Sequence, residues 1–224
     1  MKINLTIDNK KIEAQEGQTI LEVAEANGIE IPTLCYHKEL GPIGACRMCV
    51  VEVQAAKNLT ASCCTPVSEG MIVQTNSERV RRVRKVILNL LLSSHAHNCL
   101  ICSTSNICEL QKIAADYGVC TSIYKNKKRY YIPEDESPYV YRDLSKCILC
   151  YRCVLACKNI KKANLYAVSY RGFDMKITVD TDIVLNKEDC KGCDICIATC
   201  PVGALLPAEN RFSKKRTEPL IITG

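Results

Sequence analysis

Eight of the seventeen cysteines fall into two runs of nearly one pattern, Cys147-x2-Cys150-x2-Cys153-x3-Cys157 and Cys190-x2-Cys193-x2-Cys196-x3-Cys200-Pro201. This is the spacing that wraps a pair of [4Fe–4S] clusters. Three closely spaced thiolates close on one face of a cubane, while the fourth, further along a short helix, points toward the neighbouring cluster. The expected exchange gives Cys147, Cys150, Cys153 and Cys200 to one cluster and Cys190, Cys193, Cys196 and Cys157 to the second. Structural zinc also uses paired C-x2-C motifs. It takes four ligands in a tetrahedron, which leaves the repeated third and fourth cysteines without a purpose.

Two more quartets precede these runs. Cys35-x10-Cys46-x2-Cys49-x13-Cys63 suits a [2Fe–2S] rhomb, with a longer first interval than the plant-type C-x4-C-x2-C pattern. Cys64 adjoins Cys63, and either can supply the fourth sulfur; the other reads as a small buried filler. His37 is expected to face solvent or pack in its loop, because four cysteines already fill the site. Gly41 and Gly44 lie in the long interval, where a missing Cβ lets backbone N–H groups approach sulfur. The second quartet, His95-x3-Cys99-x2-Cys102-x5-Cys108, is a permitted set for structural zinc and for a cluster with one imidazole ligand. Its place between a [2Fe–2S] quartet and a two-cubane pattern favours a third [4Fe–4S] cluster. His97 lies too near Cys99 to wrap a cubane and reads as a supporting or surface group.

The elements that must hold these residues are readable in part. Ile3, Leu5 and Ile7 alternate with polar residues, so a strand over 2–8, a turn at Asn9-Lys10 and a strand over 11–14 are expected. A helix over 19–27 is well punctuated: Thr19 and Glu22 form a capping box, and Gly28 supplies the left-handed stop. Val50, Val51 and Val53, then residues 71–75, supply further strands for a small mixed sheet. Ser77 caps a helix beginning at Glu78, with Val80, Val83, Ile87, Leu90 and Leu91 at helical spacing. Arg79, Arg81, Arg82, Arg84 and Lys85 on the same helix read as its solvated face, with docking to a partner as the alternative.

Composition narrows the function classes. Trp is absent and Phe occurs twice, so metal sites must help hold the chain together. A disulfide framework belongs to secreted chains, and the N-terminus has no basic region followed by an apolar one. The longest apolar stretch, 86–92, is too short to cross a bilayer. The formal charge of +6 counts cysteines as neutral; clusters of about −2, or about −1 with one imidazole, bring the loaded chain near −1. The basic surplus therefore balances cofactors, and no recognition motif for nucleic acid accompanies it.

The order of motifs is specific. IPTLCYH and GACRMCVVEV, the stretch from Cys63 to Met71, His-x3-Cys-x2-Cys-x5-Cys followed by ELQ, CILCYRCVLAC, RGFD and CKGCDICIATCPVGAL together resemble the N-terminal iron–sulfur module of the large peripheral subunit of respiratory complex I. The same module is similar to that of multi-cluster [FeFe] hydrogenases, of the small diaphorase subunit of NAD-linked [NiFe] hydrogenases, and of soluble formate dehydrogenases and electron-bifurcating complexes. The resemblance covers residues 1 to about 207 and implies Cys63 as the fourth [2Fe–2S] ligand. Tyr151 stands where glycine is usual, and Cys64 and Cys120 are additional.

The resemblance implies an α+β fold: a β-grasp [2Fe–2S] ferredoxin domain over 1–76, a helical His/Cys3 segment over 77–120, a connector over 121–140, a bacterial-type 2[4Fe–4S] ferredoxin domain over 141–207 and a tail over 208–224. The implied cofactors are one [2Fe–2S] and three [4Fe–4S] clusters. The implied role is a cytoplasmic relay between a flavin- and NAD(P)-binding subunit and a catalytic partner: a hydrogenase, a formate dehydrogenase or a second, bifurcating flavoprotein. The chain has no G-x-G-x-x-G and no P-loop, so no catalytic or nucleotide-binding residue is assigned to it. With only 24 residues after Cys200, no hydrogen-activating or molybdopterin domain is expected. The other readings are a freely diffusing multi-cluster carrier and a zinc-bound interaction module. The tail residues Phe212, Ser213, Lys214, Lys215 and Arg216 read as a surface or partner-contact segment, with a frayed terminus as the alternative.

Overall fold

The computed structural model describes residues 1–95, 98–133, 137–179, 190 and 192–211. They form two compact units, Met1–Tyr36 with Gly41–Leu88, and His37–Leu40 with the residues from Asn89 onward.

The first unit is built on a hairpin. β1 (Lys2–Ile7) and β2 (Lys10–Gln15) pair antiparallel with Ile3 opposite Ala14 and Leu5 opposite Ile12. The turn falls at Asp8-Asn9, one residue before the expected Asn9-Lys10: these two carry φ of 48° and 67°, the left-handed pair a two-residue turn needs to match strand twist, while Lys10 already pairs with Ile7. α1 (Ile20–Ala26) follows, with both halves of the Thr19–Glu22 capping box formed. Its Ile20, Leu21, Val23 and Ala24 are buried in one core with Ile3, Leu5, Ile7, Val51 and Val73. β3 (Val50–Val53), β4 (Thr60–Ala61) and β5 (Ile72–Gln74) complete a five-stranded mixed sheet of order β2-β1-β5-β3-β4, in which β1 and β5 run parallel.

α2 (Glu78–Ser94) corrects the sequence reading. Ser77 caps it, its hydroxyl accepting from Val80 N–H at 3.3 Å. The most buried line, however, is Val80, Arg84, Leu88 and Leu92, and Leu90 is 55% exposed. Arg84 does not belong to a solvated face. It is 2% exposed, and its guanidinium donates to Val50 O at 2.8 Å. A long stem packs like an aliphatic residue while the head satisfies a buried carbonyl, which hydrophobic periodicity cannot register. Arg79 follows expectation more closely, with its side chain half exposed and paired with Glu52 at 3.3 Å.

In the second unit α3 (Glu109–Asp116) is followed by β6 (Val140–Arg142). Next come α4 (Arg152–Leu155), a π-helical turn at Ala156–Ile160, and the antiparallel strands β7 (Tyr166–Ser169) and β8 (Lys176–Val179). α5 (Ile195–Ala198) and β9 (Leu205–Pro207) close it, β9 pairing antiparallel with β6. The core is small: Val140, Tyr166, Ile177, Val179, Ile197 and Leu205 pack among the cysteines themselves. Among the described residues no helix is long and apolar enough to cross a membrane.

The 121–140 connector is not as loose as its composition suggests. Ser122 Oγ donates to Asn89 O at 2.8 Å, Arg129 N–H to Ser94 O at 3.0 Å, and Tyr131 N–H to Ser145 Oγ at 2.8 Å. Val140, assigned to the connector, is 1% exposed and belongs to β6. Side chains that read as hydrophilic linker make backbone bonds to α2 and to the turn before Cys147. Residues 134–136, His97 and the tail at 212–216 lie outside the described residues.

Arg84→Ala removes a charged donor from a buried carbonyl and leaves a void, and should destabilise the first unit by about 2–4 kcal/mol. Thr19→Ala, which breaks only the capping box, should cost about 1 kcal/mol. Urea unfolding of the two variants checks the order.

Candidate metal centres

In the first unit, pairing between β3 and β4 brings two distant sulfurs together. Val50 lies opposite Ala61, and Ser62 N–H donates to Cys49 O at 3.2 Å. Cys49 at the start of one strand thereby meets Cys63 in the 3-10 turn Ser62–Cys64, and their Sγ atoms are 3.3 Å apart. A second pair forms across the glycine-containing loop, where Cys46 N–H donates to Cys35 Sγ at 3.4 Å. The hydrogen bond between Cys49 and Cys63 holds the Cys49 thiol down and pushes Cys63 up. Cys46 is pushed up first by its hydrogen bond to Cys35 and then by burial. Two pairs of cysteines held this close are a donor set for two metal ions.

Cys63 is fully buried. Cys64, read as a buried filler, is exposed instead. Adjacent residues in a 3-10 turn point to different sides, so only one of the two can face inward. Cys64 Sγ stays 3.4 Å from Cys63 Sγ, and a Cβ added at Gly44 (φ +70°) would meet it at 3.0 Å. His37 Nδ1 accepts from Glu39 N–H at 3.4 Å within its own loop. Cys120 is exposed.

In the second unit two of the three expected groups each line a cavity, and the third shows only as charges around Cys196. His95, buried just beyond α2, lines one cavity of about 180 Å³ together with Cys99, Cys102 and Cys108. Cys99 lies in the 3-10 turn Cys99–Ile101, and Cys108 caps α3, its Sγ accepting from Gln111 N–H at 3.5 Å. Burial pushes the Cys108 thiol up to about 11, against the pull of the Gln111 and Leu110 amides.

Cys147, Cys150, Cys153 and Cys200 line a second, apolar cavity with Arg142, Leu144, Tyr166 and Leu205. The fourth cysteine comes from the other run, as the exchange requires. Burial pushes Cys147 up to about 11, and it raises Cys150 and Cys153 further with help from neighbouring sulfurs. The third group is electrostatic. Burial pushes Cys196 up to about 12 against the Tyr166 hydroxyl, with Cys193, Cys190 and Cys157 as the adding charges. Cys157, in the π-helical turn, accepts from Leu165 N–H at 3.3 Å.

Both loops use the same backbone device. Leu149 and Tyr151 have φ of 56° and 63°, and Gly192 and Asp194 at the matching places have 62° and 58°. A left-handed residue costs a non-glycine about 1–2 kcal/mol, which accounts for glycine being usual where Tyr151 stands. The turn aims amides inward: Leu149 N–H donates to Cys147 Sγ at 3.4 Å.

Adjacent groups share walls. Val202 lines both the His95 cavity and the Cys147 cavity. Arg152, beside Cys153, binds Glu109, beside Cys108, with both carboxylate oxygens at 2.7 and 2.9 Å, and Glu109 N–H donates to Pro201 O, beside Cys200, at 2.9 Å. Continuous helix carries Cys153 to one group and Cys157 to the next.

The donor chemistry fits iron–sulfur clusters. All seventeen cysteines are free thiols, and the buried ones need adjacent positive charge to ionise. Among the described residues no three His, Cys, Asp or Glu side chains converge on one point as a single ion demands, and two of the groups line cavities.

Comparison with known proteins agrees. Residues 1–78 match a 2Fe-2S iron-sulfur cluster binding domain, 84–122 the NADH-ubiquinone oxidoreductase-G iron-sulfur binding region, and 137–206 the ferredoxin-like domain of NADH-quinone oxidoreductase subunit 3. The NADP-reducing hydrogenase subunit HndD of Solidesulfovibrio fructosivorans is 40% identical over 92% of this chain and 36% of its own length. The mitochondrial NADH-ubiquinone oxidoreductase 78 kDa subunit of Candida albicans is 33% identical over 98% of this chain and 31% of its own. The chain thus spans about a third of these curated relatives. A chain in the crystal structure of an NAD+-reducing [NiFe]-hydrogenase in the H2-reduced state superposes with a TM-score of 0.82 at 32% identity, covering 94% of this chain and 89% of that one. With a [2Fe–2S] domain and [4Fe–4S]-binding regions in this order, the chain belongs to the family of iron–sulfur modules found in the complex I large peripheral subunit and in NAD(P)-linked hydrogenases.

Proposed function

We propose that this chain is an electron relay that holds four clusters and works between a flavin- and NAD(P)-binding subunit and a catalytic partner such as a hydrogenase, a formate dehydrogenase or a second flavoprotein. Cys35, Cys46, Cys49 and Cys63 hold a [2Fe–2S] cluster. His95, Cys99, Cys102 and Cys108 hold a [4Fe–4S] cluster, as do Cys147, Cys150, Cys153 and Cys200, and Cys190, Cys193, Cys196 and Cys157. Bound clusters supply reversible one-electron chemistry. The observation that carries the reading is the adjacency of the groups, with Val202 in the wall of two cavities and one helix feeding two sites.

The chain's own residues do the rest. Leu144, Leu205 and Val202 keep water from the Cys147 group. Backbone amides of Leu149, Leu165 and Gln111 stabilise the thiolates. The Arg152–Glu109 pair fixes the spacing of the first and second cubanes. His95 contributes no negative charge as a neutral ligand, which makes its centre easier to reduce than an all-thiolate one. The relatives' names, an NADP-reducing hydrogenase subunit and an NADH-ubiquinone oxidoreductase subunit, support a nicotinamide-linked partner.

Anaerobic analysis should find about 14 iron and 14 sulfide per chain, the sum of one [2Fe–2S] and three [4Fe–4S] sites. About 10 iron with one zinc would return the His95 quartet to structural zinc. His95→Cys should keep its cluster at a lower reduction potential, since another thiolate adds negative charge; redox-poised electron paramagnetic resonance reads the shift.

The isolated chain should not be bleached by NAD(P)H. Adding the flavoprotein partner should allow reduction, with Cys120→Ser harmless and Cys153→Ser interrupting transfer. Rapid bleaching without flavin would overturn the relay assignment.

A further inference from the structure

Tyr166 stands between two of the cysteine groups. It opens β7, is 4% exposed, and its hydroxyl lies 3.6 Å from Cys196 Sγ, in the Cys190 group. The same residue lines the cavity of Cys147, Cys150, Cys153 and Cys200. Its position is held from two sides: Tyr166 pairs with Val179 across the β7–β8 ladder, where Ser169 and Thr178 hydroxyls also meet at 2.7 Å, and the Arg142 guanidinium sits 6.0 Å from its ring centroid. Phenylalanine would fill the same space, so packing alone does not call for the hydroxyl. A buried hydroxyl needs a hydrogen-bond partner, and Cys196 sulfur is at hand.

We propose that Tyr166 is a positioning residue that raises the reduction potential of the cluster held by Cys157, Cys190, Cys193 and Cys196, by donating its phenolic hydrogen bond to Cys196 sulfur. The inference rests on the ligand assignment above. A thiolate bound to iron carries no proton, so it can only accept, and the phenol must donate. Reduction adds negative charge that is shared by the ligand sulfurs, so a donor to sulfur stabilises the reduced state more than the oxidised one. The neighbouring group has Tyr166 and Arg142 in its cavity wall, but the hydroxyl lies on Cys196. One side chain thus treats two cubanes of near-identical ligand spacing differently, which sets a step in potential between them.

The test uses the anaerobically loaded chain. Tyr166→Phe removes only the oxygen and should keep the wild-type iron content while one [4Fe–4S] signal titrates at a lower potential in redox-poised electron paramagnetic resonance. Site-specific replacement of Tyr166 by 3-fluorotyrosine, whose phenol is a stronger donor, should move the same signal upward. A structural role would not produce opposite shifts from two ring-conserving changes. Titration curves that superimpose on wild type in both variants overturn the proposal. If Tyr166→Phe fails to load, the fluorotyrosine variant decides alone, an upward shift supporting the inference and no shift overturning it. Wild-type protein short by about four iron would break the ligand assignment, whereas full iron content with unshifted potentials breaks this inference only.

Discussion

Sulfur burial is the constraint on which the structure depends. Four thiols brought into one poorly solvated space resist ionising, first because burial penalises the thiolate and then because each thiolate repels the next. Cys147, held up at about 11, and Cys196, at about 12, show both effects. Positive metal offsets both at once, and because no such site exists in the unfolded chain, its binding contributes directly to folding. That is how a unit whose apolar core amounts to a few residues around Tyr166, Ile177, Ile197 and Leu205 can specify one structure. The cysteines occupy the place that aromatic side chains take elsewhere.

The backbone is shaped by the same requirement. Amides must face sulfur, and the chain achieves this with left-handed residues at matched places in both loops, accepting the strain at Leu149, Tyr151 and Asp194 where glycine would be free. Helix then connects rather than merely covers. The segment from Arg152 to Ile160 delivers Cys153 and Cys157 to different groups, and the Arg152–Glu109 pair ties that segment to α3 beside Cys108. The links that hold the fold are also the ones that bring the walls of neighbouring groups together.

Much was legible beforehand, for identifiable reasons. Motif spacing is local, so Cys147, Cys150 and Cys153 or Cys99 and Cys102 announce themselves as candidate ligands within a few residues. Capping chemistry is equally local, and Thr19 with Glu22 formed the box the residues implied. The hairpin followed from strand alternation on either side, although its turn falls at Asp8-Asn9, one residue before the expected Asn9-Lys10. The departures share a different cause. Arg84 reads as a charge on a solvated face, yet Val50 O, thirty-four residues away, is its partner. Cys64 reads as a filler beside Cys63, but the 3-10 turn admits one of the two inward. The polar connector is held by backbone bonds to α2 that composition does not reveal.

By itself the sequence determined the kinds of donor and their grouping along the chain, because metal-ligand motifs depend on residue type and short separations that no distant contact alters. It also determined the first hairpin and helix, where turn and cap chemistry act within four residues. Only the tertiary structure decided which sulfurs face each other across long separations: β3–β4 pairing set Cys63 against Cys49, and the return of the chain through α5 put Cys200 in the cavity of Cys147. It likewise decided that Tyr166 would set its hydroxyl on Cys196 while lining the cavity of Cys147. Such contacts depend on where strands register and helices pack, and that is a property of the whole unit and not of any segment.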